Sequence, residues 1–163
     1  MEFILSFLLM ILSLFGGEGV SQDTQIESVD SGVMAEVIKV VDGDTIVVNI
    51  AGEEKTVRYI GIDTPEPYRD GEPACFSLEA SLKNQEFVSG KTVRLVSGRE
   101  DVDRYDRLLR YVYVDDVFVN AELIKGGYAK SLTIKPNTTF ADEFIFLEKE
   151  ARETKRGLWG ECD

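Results

Sequence analysis

The chain has 163 residues, of which 44% are hydrophobic and 29% charged, a composition typical of one soluble globular domain. It has no histidine and only two cysteines, which excludes imidazole-dependent catalysis and zinc clusters. Carboxylates, arginines, lysines, hydroxyl groups and the backbone remain for chemistry, so any metal should be a hard, oxygen-bound cation such as calcium, magnesium or manganese. The formal charge of −12 argues against a broad nucleic acid-binding surface, but screening leaves room for a local arginine site.

The amino terminus has the pattern of an export signal. An apolar run over residues 3–15 is followed by small residues up to Ser21. The run is shorter than the roughly 20 residues of a membrane-spanning helix and suits a secretory signal, although Glu2 stands where a basic residue is expected. We expect a signal peptide over 1–21, with a retained membrane anchor or an internal start as alternatives, and a linker over 22–32. The protein is then secreted or extracytoplasmic, or else anchored facing outside.

The cysteine count leads to a second expectation. Cys75 and Cys162 are the only thiols, and two cysteines in an exported protein favour one disulfide. Two separate buried thiols are the alternative. In the chain-entropy model, a bridge across this long loop would stabilise the fold by at most roughly 4 to 5 kcal/mol.

The folded domain is expected over 33–163. Five segments are rich in β-branched or alternating apolar residues and are predicted as strands: 33–41, 45–50, 55–62, 91–97 and 107–114. The first two are joined by Asp42-Gly43, a strong turn signal. Small all-β units close into barrels to protect their edges. The expected class is therefore mainly β (α+β), a barrel with added helices.

Three helices are predicted around these strands. The first covers 77–89, after a proline-rich loop, and a charged loop is expected over 98–106. Asn120 is placed to cap a short second helix that ends at Gly126-Gly127. The last helix starts at Thr139 with a pattern like a capping box. Asn137 begins a glycosylation-like triplet, for which a loop role is favoured.

Polar residues gather at three predicted strand ends, namely at 42–45, 58–66 and 103–107. Taken alone, the 42–45 stretch would be interpreted as a turn, and the 103–107 stretch would be interpreted as a solvated loop. The second is more specific, because Arg58 interrupts an apolar strand and therefore needs a partner. Pro65 favours an extended backbone at the preceding residue, Thr64. The 63–66 segment therefore offers two carboxylates and a backbone carbonyl, which are typical ligands of a calcium site.

The motifs together resemble those of the staphylococcal nuclease (thermonuclease) family, and the resemblance runs from about Val33 to Trp159. The matching residues, in order, are Asp42-Gly43-Asp44-Thr45, Val57-Arg58, Asp63-Thr64-Pro65-Glu66, Asp103-x-Tyr105-x-Arg107, Val119-Asn120, Gly127-Tyr128-Ala129 and Gly157-Leu158-Trp159. The resemblance implies a five-stranded OB-fold Greek-key barrel with three helices. It also implies a calcium-dependent phosphodiesterase, an endonuclease that hydrolyses DNA and RNA to 3′-phosphate products.

The resemblance also implies a metal centre and a base. Asp44 and Asp63 would hold Ca²⁺ through their side chains, and Thr64 would hold it through its carbonyl oxygen. Glu66 would be the general base or would position the attacking water.

The resemblance implies a phosphate site as well. Arg58 and Arg107 would grip the scissile phosphate, since a guanidinium forks onto phosphate oxygens and stays charged at any working pH. Arg104 and Tyr105 would lie along a second phosphate. The substrate would be single-stranded or locally melted DNA and RNA, the protein a monomer, and a membrane a partner only if the amino-terminal segment is retained.

Two departures from the family pattern bear on affinity. Asp106 replaces the glycine expected before Arg107, which adds negative charge beside the phosphate site. Residues 131–134, after Ala129-Lys130, are one residue short of the family pattern and contain no aromatic, so this segment offers no ring for base stacking, which is usually worth about 1 to 3 kcal/mol per base.

Two alternatives belong to other classes. One is a catalytically silent OB-fold module that binds nucleic acid or protein. The other is a membrane-tethered scaffold whose acidic surface binds a basic partner. Because both arginines, both aspartates and the glutamate are present, the enzyme is the leading hypothesis.

Overall fold

The computed structural model describes residues 32–67 and 72–162. The predicted signal peptide over 1–21 and residues 22–31 of the predicted linker lie outside the described residues. No helix in the described part of the chain is long and apolar enough to cross a membrane.

A closed five-stranded barrel forms the body of the domain, as predicted. Within the described residues the strands are β1 Val33–Val40, β2 Thr45–Ile50, β3 Glu53–Tyr59, β4 Ile62–Asp63, β5 Thr92–Val102, β6 Leu108–Val114, β7 Val117–Phe118 and β8 Lys130–Ser131. The main sheet has the order β3-β2-β1-β5-β6, and parallel pairing of β3 with β6 closes it. Strand β7 pairs antiparallel with the end of β6, whereas β4 and β8 form a separate antiparallel pair.

Helices cover one end and one side of the barrel. They are α1 Ser77–Val88, α2 Val119–Lys125, α3 Ala141–Glu153 and the short α4 Leu158–Glu161. The first three match the predicted helices in order, and α4 is an additional turn of helix. Alternate strand residues such as Ile46, Val48 and Val112 point inward and are completely buried. Phe144 of α3 joins this core, so the helices are anchored by the same apolar interior.

Strand β5 is longer than predicted, since it runs to Val102 instead of ending at residue 97. The predicted charged loop over 98–106 therefore shrinks to its last few residues. An irregular register lets the second half of β5 pair again with β6, where Val102 lies opposite Leu108. Buried Asn137 supports this half, because its side chain bonds both the N–H and the C=O of Glu100 at 2.8 and 3.0 Å.

Both predicted helix caps are wrong. Asn120 lies inside α2, fully buried, where it accepts a hydrogen bond from the Val112 N–H and donates one to the Ile60 carbonyl, both at 2.9 Å. Helix α3 begins at Ala141, two residues after Thr139, and has no side-chain cap. Asn120 is used instead to tie α2 to the barrel, because a buried amide can satisfy two backbone groups at once.

Candidate active site

Asp44 joins two loops at one end of the barrel. It follows the β1–β2 turn and is 4% exposed. Its Oδ2 accepts hydrogen bonds from the Thr64 N–H at 2.8 Å and the Thr64 hydroxyl at 2.9 Å, and its Oδ1 accepts one from Thr45 at 3.1 Å. A Cβ at Gly43 would lie 2.7 Å from Thr64 Oγ1, so a glycine is needed for the two loops to approach this closely.

Arg58 lies between two of the predicted metal ligands. At the end of β3, its guanidinium is 3.2 Å from Asp44 Oδ1 and 3.1 Å from Asp63 Oδ1. It also donates to the carbonyls of Tyr59 and Ile62 at 3.0 and 2.9 Å. The side chain is 14% exposed, so these bonds fix the orientation of its planar head.

The electrostatics around Asp44 are those of a buried carboxylate. Burial raises the pKa of Asp44 to about 6. The Arg58 guanidinium and the two hydrogen bonds from Thr64 act in the opposite direction but do not cancel the effect of burial. Asp42, whose carboxylate accepts a bond from the Asp44 N–H at 3.0 Å, adds further negative charge. Burial is thus the dominant influence on the pKa of this carboxylate.

Arg107 is oriented by an aspartate in its own loop. Asp103 Oδ2 is 2.7 Å from Arg107 Nε, and Asp103 Oδ1 accepts the N–H groups of Tyr105 and Arg107 at 2.9 and 3.0 Å. Burial raises the pKa of Asp103, but these hydrogen bonds outweigh it and hold the pKa below its usual range. Among the described residues, the Arg107 side chain donates a hydrogen bond through Nε, which leaves its two terminal nitrogens available as donors to a ligand.

The arginines meet in one cleft. A cavity of about 480 Å³ is lined by Arg58, Arg104, Tyr105 and Arg107 among others. The Tyr105 ring is 64% exposed, with the guanidinium carbons of Arg104 and Arg107 at 4.7 and 5.4 Å from its centre. An exposed ring close to two cations suits contact with a phosphodiester chain.

Glu66 lies in a neighbouring cavity of about 320 Å³, together with Asp63 and Thr64. Its side chain is exposed, and no bond joins it to the other predicted site residues within the described part of the chain. The Arg58–Asp63 ion pair links the two cavities, since Arg58 lines the first and Asp63 the second. The two predicted phosphate-binding arginines thus line one cavity, whereas Asp63 and Glu66 line the other.

The sequence does not reveal the supporting roles of two residues, Asp103 and Asn84. Asp103 was recognised as part of a motif, but its bonds to Arg107 were not. Asn84 of α1 is fully buried, accepts a bond from the Tyr59 hydroxyl and donates to the Asp42 carbonyl, both at 2.9 Å. A polar residue at an interior helix position was the available signal.

The fold and the candidate site define a class of protein: small OB-type barrels that carry two arginines and two carboxylates at one end. Comparison with protein families is in agreement, since the staphylococcal nuclease homologue family matches residues 56–161. The chain belongs to this family.

Similar proteins include nucleases and one protein without a named activity. A thermonuclease from Staphylococcus hyicus is 34% identical over 124 residues, covering 76% of this chain and 73% of that protein. Endonuclease YncB from Bacillus subtilis is 38% identical over 126 residues, covering 74% and 59%. An uncharacterised Bacillus anthracis protein is 39% identical over 137 residues, covering 78% and 61%. The chain thus spans about 60% of the length of the last two.

Cys75 and Cys162 form a disulfide with their Cα atoms 6.0 Å apart. Both cysteines line the cavity that holds Glu66. The bridge therefore lies beside the candidate site.

Proposed function

We propose that the protein is a calcium-dependent phosphodiesterase, an endonuclease that hydrolyses DNA and RNA to 3′-phosphate products. The observation that carries the proposal is the cleft in which Arg58 and Arg107 converge next to the segment that holds Asp63 and Glu66. Family membership and relatives named as a thermonuclease and an endonuclease support the same reaction.

The chain's own residues can supply most of the chemistry. Arg58 and Arg107 bind the oxygens of the scissile phosphate, where negative charge develops during attack. Glu66 takes a proton from the attacking water. Release of a 3′-phosphate means that the bond from phosphorus to the 5′ oxygen breaks, and Arg107 donates to that leaving oxygen. Tyr105 and Arg104 position a neighbouring phosphate.

The proposed metal ligands are all oxygen atoms, namely the carboxylates of Asp44 and Asp63 and the Thr64 carbonyl. Over residues 32–67 and 72–162, no group of three acidic, histidine or cysteine side chains forms a ready metal cluster. Two carboxylates and a carbonyl would need waters to complete the shell, which calcium accepts readily, so the donor set fits. When bound, the ion would supply positive charge that offsets the charge of the phosphate.

The substrate is proposed to be single-stranded or locally melted DNA and RNA, whose unpaired bases could reach the aliphatic side chains of Leu132 and Ile134 that line the cleft. These side chains offer apolar contact to a base but no ring for stacking. We also propose that the protein acts as a monomer outside the cytoplasm. A disulfide is typical of an oxidising compartment, which supports export.

The test is release of acid-soluble nucleotides from denatured DNA by the purified protein, with calcium or with a calcium chelator. Cleavage only with calcium is expected, and the products should carry 3′-phosphates, so that a polymerase extends them only after phosphatase treatment. A folded protein that cleaves in neither condition would contradict the proposal and favour the silent binding module.

The charge of Asp106 should weaken substrate binding. Its backbone is left-handed, with φ +62°, a conformation that glycine and asparagine also accept. Asp106→Asn and Asp106→Gly should therefore both lower KM by about two- to threefold, the effect of one exposed charge near a phosphate, with kcat unchanged. Steady-state kinetics on a single-stranded oligonucleotide would measure this effect.

Asp115 provides a matched control, because it also has a positive φ, 51°, but lies in the turn after β6 and away from the cleft. Asp115→Asn should leave KM as it is. An equal decrease in both asparagine variants would show that net charge, not the position beside Arg107, sets the affinity.

A further inference from the structure

We infer that the Cys75–Cys162 disulfide positions Glu66 for catalysis, in addition to any contribution to stability. The inference rests on the proposed role of Glu66. It assigns the bridge a part in the reaction although neither cysteine touches the substrate.

The first observation is location. The cavity of about 320 Å³ that is lined by Asp63, Thr64 and Glu66 is also lined by both cysteines. The two cysteines are 87 residues apart in sequence, so the bridge brings the carboxyl-terminal end of the domain to the rim of the site.

The second observation is a short physical connection between the bridge and Glu66. The Ala74 N–H donates a hydrogen bond to the Glu66 carbonyl at 3.1 Å, and Ala74 immediately precedes Cys75. The Ala74 carbonyl in turn accepts the Ser77 N–H at 3.0 Å, at the start of α1. Ala74 therefore links the backbone of Glu66 to the bridged cysteine and to the first helix.

The third observation is that the other end of the bridge is firmly anchored. Leu158, at the start of α4, is 5% exposed and donates to the Gly127 carbonyl at 2.9 Å. A Cβ at Gly157 would lie 2.4 Å from the same carbonyl oxygen, so the two backbones are in close contact. The Cys162 N–H closes α4 by donating to the Leu158 carbonyl at 3.0 Å.

Glu66 needs such support more than its neighbours do. Asp63 and Thr64 are held by Arg58 and Asp44 through ion pairs and hydrogen bonds. For Glu66, the bond from Ala74 is the backbone contact found among the described residues. Loss of the bridge should therefore loosen Glu66 while the arginine cleft, on the far side of Asp63, keeps its shape.

The test removes the bridge in the full chain by Cys75→Ser with Cys162→Ser. At a temperature well below unfolding, kcat on a single-stranded oligonucleotide should fall about tenfold or more, the scale expected for a misplaced catalytic group, with KM changed less than about twofold. In a Glu66→Gln background the same pair of substitutions should change kcat less than about twofold, since the group that the bridge positions is already inactive. An equal loss in both backgrounds would overturn the inference.

A control separates positioning from stability. Val93→Ala empties part of the barrel core, because Val93 of β5 is fully buried and lines neither cavity. It should lower Tm without lowering kcat at the assay temperature. If Val93→Ala reduces kcat as much as loss of the bridge at a similar Tm, the bridge acts through stability alone and the inference is wrong.

A readout independent of activity completes the test. Without the bridge, amide hydrogen exchange at Ala74 should accelerate about tenfold or more, whereas Val48 in the barrel core keeps its protection. Unchanged exchange at Ala74 would contradict the inference even if activity falls. If the bridged wild-type protein does not cleave at all, the proposed function fails. The exchange rate at Ala74 would then still show whether the bridge holds the backbone next to Glu66 in place.

Discussion

Arg107→Ala is expected to lower kcat by about 10²- to 10³-fold, the usual cost of removing one donor aimed at developing charge. The side chain is 32% exposed, and the ion pair it makes among the described residues is with Asp103, which stays partly solvated. Removal should therefore leave the barrel folded, with Tm shifted by only a few degrees. Single-turnover kinetics at saturating substrate, together with a thermal melt, would measure both effects.

A graded series makes this prediction sharper. Arg107→Lys keeps the charge but loses the planar fork, so most of the loss in kcat should persist. Arg94→Ala is the matched control, since Arg94 stacks on Tyr113, 4.1 Å from its ring centre, and does not line the cleft. Near-normal turnover of Arg107→Ala would remove this residue from the mechanism. Full activity of the lysine variant would show that charge alone suffices.

Arg58 is a poorer residue for the first experiment, even though it lines the same cleft. Its guanidinium lies between Asp44 and Asp63 and bonds two carbonyls. Truncation would leave Asp44 buried without its positive partner, which typically destabilises a protein by about 3 to 5 kcal/mol. A loss of activity would then mix catalysis with folding.

The barrel was predictable because strand periodicity and turn signals agree with the final packing. Alternation in β1 and β2 places Ala35, Val37, Ile46 and Val48 inside. The Asp42-Gly43 turn lies between the two strands, as predicted. The end of β5 was not predictable, because its pairing with β6 depends on a register change and on Asn137, which comes from a loop 37 residues away.

The apolar periodicity of helix α1 does not match the face that the helix buries. Its buried positions are Ser77, Ala80, Asn84 and Val88, whereas Leu78 and Leu82 are 63% and 53% exposed. The face of α1 that packs on the barrel is made of small and polar residues. One of them, Asn84, bonds the Tyr59 hydroxyl and the Asp42 carbonyl. A hydrophobic periodicity rule cannot anticipate this choice, since the helix supports the site as well as the core.

The candidate site was predictable in composition but not in arrangement. Short motifs identify Asp44, Arg58, Asp63 and Arg107, since each lies at the end of a strand or in the adjoining loop. Arg58 and Arg107 line one cavity and Asp63 lines the other, while buried Asp44 contacts Arg58, and this arrangement follows from tertiary contacts that no local pattern encodes.

Glu66→Gln is expected to lower kcat by about 10²- to 10⁴-fold, the usual range for loss of a general base. The glutamine amide has nearly the same shape as the carboxylate but does not act as a base. The Glu66 side chain is exposed, and among the described residues it makes no contact on which the fold depends. Tm and KM should therefore stay close to the wild-type values. Rapid-quench kinetics on an end-labelled oligonucleotide would measure the chemical step directly.

The pH dependence distinguishes a base from a purely electrostatic role. If Glu66 removes the proton, the variant has to use hydroxide from solution, and its rate should rise about tenfold per pH unit, more steeply than that of the wild type. Glu79→Gln is the control, because Glu79 is an exposed carboxylate on α1 outside the Glu66 cavity. It should leave both the rate and the pH profile as they are. Parallel profiles for Glu66→Gln and the wild type would assign proton removal to another group, and the role of Glu66 would then be to orient the water.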